Sequence, residues 1–142
     1  MDKIIISIKP MYIEKILNGS KIIELRRRVG KFFIPNNEIY LYSTSPVKAL
    51  VGKAIIEKVV KEELTLSKKR KNKILKSACI DECSFDKYFL GSKCCFLIHL
   101  SGIIEFQKHL PISSLKNIGI TPPQSFGYIK NDIINIFEEM NK

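Results

Sequence analysis

Histidines and acidic residues are scarce in this 142-residue chain: two histidines, and 14 aspartates and glutamates against 24 lysines and arginines. The histidines suggest no catalytic triad. His99 falls among Leu97, Ile98 and Leu100 as a core or edge residue of a strand, and His109 precedes Leu110-Pro111, neither with a serine or cysteine suitably placed. The four cysteines, Cys79, Cys83, Cys94 and Cys95, lack the two-by-two spacing of a zinc ribbon. Adjacent Cys94 and Cys95 would point to opposite faces of a strand, so reduced, partly buried thiols are expected, with no metal or other cofactor. Long apolar runs are also missing. None approaches the roughly 18 residues that cross a bilayer, and Ile4-Ile5-Ile6 is too short for a signal-peptide core. The expectation is a cytoplasmic protein without membrane contact. With no repeat, low-complexity tail or linker, residues 1–142 read as one domain, long enough to bury a core without disulfide or metal support.

What is abundant is positive charge. A formal net charge of +10 and a pI near 9.5 favour a polyanionic partner, nucleic acid first among them. Two places concentrate it. Lys68-Lys69-Arg70-Lys71-Asn72-Lys73 suits either a solvated helix face or phosphate contact. The segment from Gly19 to Arg28 sets Lys21, Glu24, Arg26, Arg27 and Arg28 into β-like sequence, where a buried strand gains nothing from consecutive arginines. Arginine is favoured where planar, bidentate donors meet phosphate or carboxylate. Glu24 would orient its basic neighbours or act on substrate protons itself.

Patterning places these residues. Ile4 to Lys9 alternate as an opening strand, Pro10 starts a helix carrying Tyr12, Ile13, Ile16 and Leu17, and Gly19 closes it. A strand from about Lys21 to Arg28 puts Ile23 and Leu25 on one face and Glu24, Arg26 and Arg28 on the other. Lys21 has the apolar parity, so it shares a site with Glu24 only from the turn before the strand or through a bulge. By the same alternation, at most two of the three arginines reach one cleft. Further strands are expected at Glu38–Thr44, Val47–Val60, with Gly52 as a bulge, and Lys93–Phe106. Helices are expected at Glu62–Ser77, from an N-capping Ser84 through Phe85, Tyr88 and Phe89, near Ser113–Asn117, and after Asn131. Tyr40 and Tyr42 read as core aromatics. Phe126 and Tyr128, behind the loop Thr121–Phe126, suit either core or stacking on a base.

Taken together, Ser7-Ile8-Lys9-Pro10, Gly19-x-Lys21-x-x-Glu24-x-Arg26, Tyr42-x-x-Ser45-Pro46, Gly52 and Pro122-Pro123-Gln124-Ser125-Phe126 resemble the ASCH domain family of the PUA-like superfamily. The resemblance spans nearly the whole chain. It implies an α+β fold, a PUA-like β-barrel or pseudobarrel with short helices at its rim and a basic cleft beside the first helix. Lys9, Lys21, Glu24, Arg26 and Arg28 would line that cleft, with Ser43, Ser45, Gln124, Ser125 and Phe126 as neighbours. The function implied is binding of RNA, a nucleotide or a modified nucleoside, of a regulatory kind in RNA metabolism. The alternative is a hydrolase with Lys21 and Glu24 as catalytic residues, acting on acetylated cytidine or as a ribonuclease. Similar amidohydrolases carry a threonine three residues after the lysine. Here that position is Glu24, which can serve as a general base but not as a hydroxyl nucleophile.

Overall fold

A computed structural model describes residues 1–141. Six strands form one strongly curved sheet in the order β2-β5-β4-β3-β1-β6. In chain order the elements are β1 (Lys3–Ile8), α1 (Pro10–Leu17), β2 (Ile23–Arg26), β3 (Glu38–Ser43), β4 (Ala49–Glu63), α2 (Lys68–Ala78), α3 (Glu82–Tyr88), β5 (Cys94–Pro111), α4 (Ile112–Asn117), β6 (Phe126–Ile129) and α5 (Asn131–Met140). Only β1 and β3 pair in parallel. The sheet does not close on itself: β2 and β6 are its two edges, and the fold is an open, PUA-like pseudobarrel of mixed α+β class. Among the described residues no helix is long and apolar enough to cross a membrane.

Curvature comes from the long pair β4 and β5, whose register slips at Leu50/Gly52, Lys53/Ile55 and Ile56/Lys58. Gly52 is needed at the first slip, because a Cβ there would sit 2.4 Å from the Ile104 carbonyl oxygen. Both faces of the sheet are covered. The concave side packs Ile4, Ile6, Ile39, Leu41, Ala54 and Ile98 against α1 and Phe33. On the convex side α4 and α5 cover Tyr40, Tyr42 and Leu50, while α2 and α3 cover Ile23, Leu25 and Leu97.

The expected elements are present, with several boundaries shifted. β4 runs through Glu63 where a helix was expected from Glu62, because Glu62 and Glu63 pair with Cys95 and Cys94 and cross-strand pairing outweighs their helix propensity. Ser84 is not the cap of α3. Asp81 is, accepting from the Ser84 backbone N–H at 2.8 Å and from its hydroxyl at 2.9 Å. Lys130, not Asn131, is the N-cap residue of α5, with no side-chain bond. The cysteines are unpaired, and burial pushes the Cys95 thiol up to about 11.

Candidate functional site

Strand β2 explains the site. It is only four residues long and buried on both faces. Ile23 and Leu25 enter the apolar layer beneath α2 and α3, so alternation turns Glu24 and Arg26 inward toward β1. Lys21 precedes the strand, its backbone N–H bonded to the Lys15 carbonyl, and this escapes the parity conflict in the sequence. All three side chains are buried, with relative exposures of 4% for Lys21, 7% for Glu24 and 9% for Arg26. They are therefore no surface ion pair.

The carboxylate of Glu24 lies between two cations. Arg26 Nε and Nη2 donate to Oε2 at 3.0 and 2.9 Å, and Lys21 Nζ stands 3.4 Å from Oε1. Lys21 also donates to the Ala78 carbonyl at 2.6 Å, and Arg26 to the Ser7 carbonyl at 2.7 Å and the Ser125 hydroxyl at 3.1 Å. Since Ser7 is on β1 and Ser125 directly precedes β6, the Arg26 guanidinium ties the β2 edge of the sheet to the β1–β6 edge across the open seam. It uses four of its five N–H donors within the protein. Burial lowers the Lys21 pKa from its ordinary value, with Glu24 opposing. Tyr12, whose ring centroid is 5.0 Å from Lys21 Nζ, has its pKa raised by burial and by the charges of Asp81 and Glu24.

This cluster forms one wall of a cavity of about 370 Å³. Lys9, Lys21, Glu24, Arg26 and Gln124 all line it, as the spacing of the motif led us to expect. Ser125 reaches it through Arg26. Other expected residues lie elsewhere. Ser43 is buried beneath α1 and lines a separate cavity with Val51 and His109, and Ser45 is exposed in the turn after β3, so Thr44 is the hydroxyl at the site. Arg28 lines an adjoining hollow. Phe126 packs edge-on against Phe33, with ring centroids 4.8 Å apart, as part of the concave core. Tyr12 and Tyr88 are the lining aromatics that sequence reasoning missed, since both have apolar helical spacing. One signal was available for Tyr12: it lies three residues after Lys9, one turn along α1. The basic run of α2 is partly neutralised, Arg70 by Glu62 and Lys71 by Glu82 and Asp86. Only the C-terminal end of that helix approaches the cavity, through Ala78 and Ile80.

An open pseudobarrel with a Lys-x-x-Glu-x-Arg cluster buried in its seam defines the class as PUA-like. The chain belongs to the ASCH domain family, whose model matches residues 6–110. A curated relative from Zymomonas mobilis, described as an ASCH domain-containing ribonuclease, is 28% identical over 134 residues, which cover 90% of this chain and 84% of that protein. The crystal structure of an ASCH protein from the same organism matches with a TM-score of 0.88 at 23% identity, over 99% of this chain and 96% of that one. The N-terminal domain of McrB from Staphylothermus marinus matches at 0.63 and 13% identity, over 96% and 93%. These two likenesses bear on the fold.

Proposed function

We propose that this chain binds RNA and seats one nucleotide in the cavity between α1, β2 and the loop before β6. The observation that carries this reading is the fixed Lys21–Glu24–Arg26 cluster on a cavity wall. At about 370 Å³ the cavity is near the lower end of ligand-site volumes, about 300–1,000 Å³, room for a nucleotide but not a helix. Cations exceed carboxylates around it, Lys9, Lys21 and Arg26 against Glu24, which makes it a basic cleft. Tyr12 and Tyr88 offer aromatic faces for a base, and Glu24 with Lys21 offers an acceptor and a donor for a base edge or 2′-hydroxyl. Titration of a short single-stranded RNA at several salt concentrations tests this. Two or three phosphate contacts give a logarithmic slope near −2, and a slope of zero overturns the reading.

The ribonuclease description of the 28% identical relative favours a second activity at the same place, strand scission. In this mechanism Glu24 takes the proton of a 2′-hydroxyl, whose oxygen forms a bond to phosphorus as the bond to the 5′-oxygen breaks. Lys21, made more acidic by burial, gives its proton to that departing oxygen. The products are a 2′,3′-cyclic phosphate and a free 5′-hydroxyl, and the 3.4 Å contact between Glu24 and Lys21 returns the proton for the next cycle. Incubation with labelled RNA, beside Glu24→Gln and a substrate bearing 2′-deoxyribose at the cleaved position, should show scission only with the wild-type protein on full RNA. Binding without scission leaves the module reading. Release of acetate from acetylated cytidine without RNA cleavage would replace scission with the amidohydrolase reading.

A further inference from the structure

The three consecutive arginines come together in a way that strand alternation does not predict. β2 ends at Arg26 and the chain bends at Arg27, so Arg26, Arg27 and Arg28 all line one hollow of about 330 Å³ with Val29, Tyr88, Ser125 and Phe126. No acidic residue is among these. Arg26 and Tyr88 also line the nucleotide cavity, so the two spaces share walls. Their electrostatics differ. In the first cavity Glu24 neutralises part of the charge, and Arg26 is nearly saturated by bonds within the protein. In the second, neither Arg27 nor Arg28 makes a hydrogen bond or ion pair among the described residues, and both are exposed. Arg27 lies with its guanidinium carbon 4.9 Å from the Tyr88 ring centroid, which limits its rotation and leaves the N–H edge for a ligand.

Planar forks free of protein partners, beside the Ser125 hydroxyl and with no opposing carboxylate, match a phosphate dianion or diester better than a base or a sugar. We infer that this hollow is a phosphate subsite, which holds the phosphate flanking the nucleotide seated in the neighbouring cavity. Arg27 and Arg28 supply the donors, and Arg26, held by Glu24, supplies charge and shape. This rests on the RNA reading for the occupant of the first cavity. The phosphate is either an internal diester or a terminal monophosphate.

The test compares wild type with the double variant Arg27→Gln/Arg28→Gln, whose changes lie outside β2 and are checked for folding by circular dichroism. Ligands are a nucleoside, its 5′- and 3′-monophosphates and a 2′-deoxy dinucleoside monophosphate, which resists transesterification. Wild type should bind a phosphorylated ligand at least about tenfold more tightly than the nucleoside, the effect of one charge-assisted hydrogen bond. The double variant should lose that preference and keep its nucleoside affinity within about twofold, with the salt slope smaller by about 0.7 for one phosphate lost. Gain from a monophosphate identifies a terminal group, and gain from the dinucleoside alone an internal diester. A wild type without phosphate preference, or a variant that retains it, overturns the subsite. Inorganic phosphate followed through the amide resonances of Ser125 and Tyr88 separates the two readings. If these shift in wild type and not in the variant while no nucleoside binds, the subsite stands and the RNA reading falls. If they do not shift in wild type, the subsite falls.

Discussion

Replacing Arg26 with alanine removes the connection across the seam. The change deletes two bonds to Glu24, one to the Ser7 carbonyl and one to Ser125. Removing one partner of a buried ion pair costs about 3–5 kcal/mol. Because Lys21 remains 3.4 Å from Glu24 and the cavity admits water, the lower end of that range applies. The Ser7 carbonyl, on a residue only 7% exposed, adds about 1 kcal/mol for its lost donor. The expected loss is therefore about 4 kcal/mol, a large part of the 5–15 kcal/mol typical of a whole domain. At roughly 3–4 °C per kcal/mol for a chain of this size, the melting temperature falls by about 12–16 °C. Urea unfolding followed by far-ultraviolet circular dichroism suits a chain that has no tryptophan, with the midpoint compared at constant m. Arg28→Ala, exposed beyond the strand, is the matched control and should stay within about 0.5 kcal/mol of wild type. Arg26→Lys keeps the charge but not the planar fork and should recover only part of the loss. If Arg26→Ala costs less than about 1 kcal/mol at unchanged m, the seam is held by something else and the reasoning fails.

The remaining predictions concern other parts of the molecule. Burial lowers the Lys21 pKa from its ordinary 10.5, so between the folded value and 10.5 the unfolded chain binds more protons and stability rises with pH. The penalty is complete below the folded value, and wild type should gain on Lys21→Met as the pH climbs toward 10.5. A pH-independent difference between their unfolding midpoints contradicts this. Gly52→Ala forces a methyl group against the Ile104 carbonyl and should cost about 1–3 kcal/mol in denaturant titration. An unchanged midpoint would mean that β4 and β5 relax freely at the bulge. A maleimide should modify exposed Cys83 well before Cys95, which is fully buried and whose thiol is pushed up to about 11. Mass spectrometry of the labelled peptides gives the order, and early labelling of Cys95 would show local opening of β5.

Legibility in the sequence followed the range of the physics. Pro10 and Gly19 bound α1 through backbone geometry, and the slip at Gly52 is likewise local, so these features were readable. The conflict over Lys21 was readable too, with its resolution confined to two possibilities of which the turn is the one realised. The strand character of Glu62 and Glu63 depends on partners more than 30 positions away. Ser43 and Ser45 were grouped by proximity in the chain, whereas the end of β3 decides which hydroxyl faces the cavity, and it is Thr44. Tyr88 carries the same signature as its core neighbours Phe85 and Phe89, and only its place at the end of α3 exposes a face to both cavities.

The two sheet margins are each just four residues long. A foreign strand that tried to extend this sheet would find few free amide and carbonyl groups, and along β2 it would also meet Arg27 and Arg28 at the exit. Because the discontinuity is bridged by a side chain in place of a full backbone ladder, the fold keeps an opening for a guest without offering a template on which copies of itself could stack into fibrils.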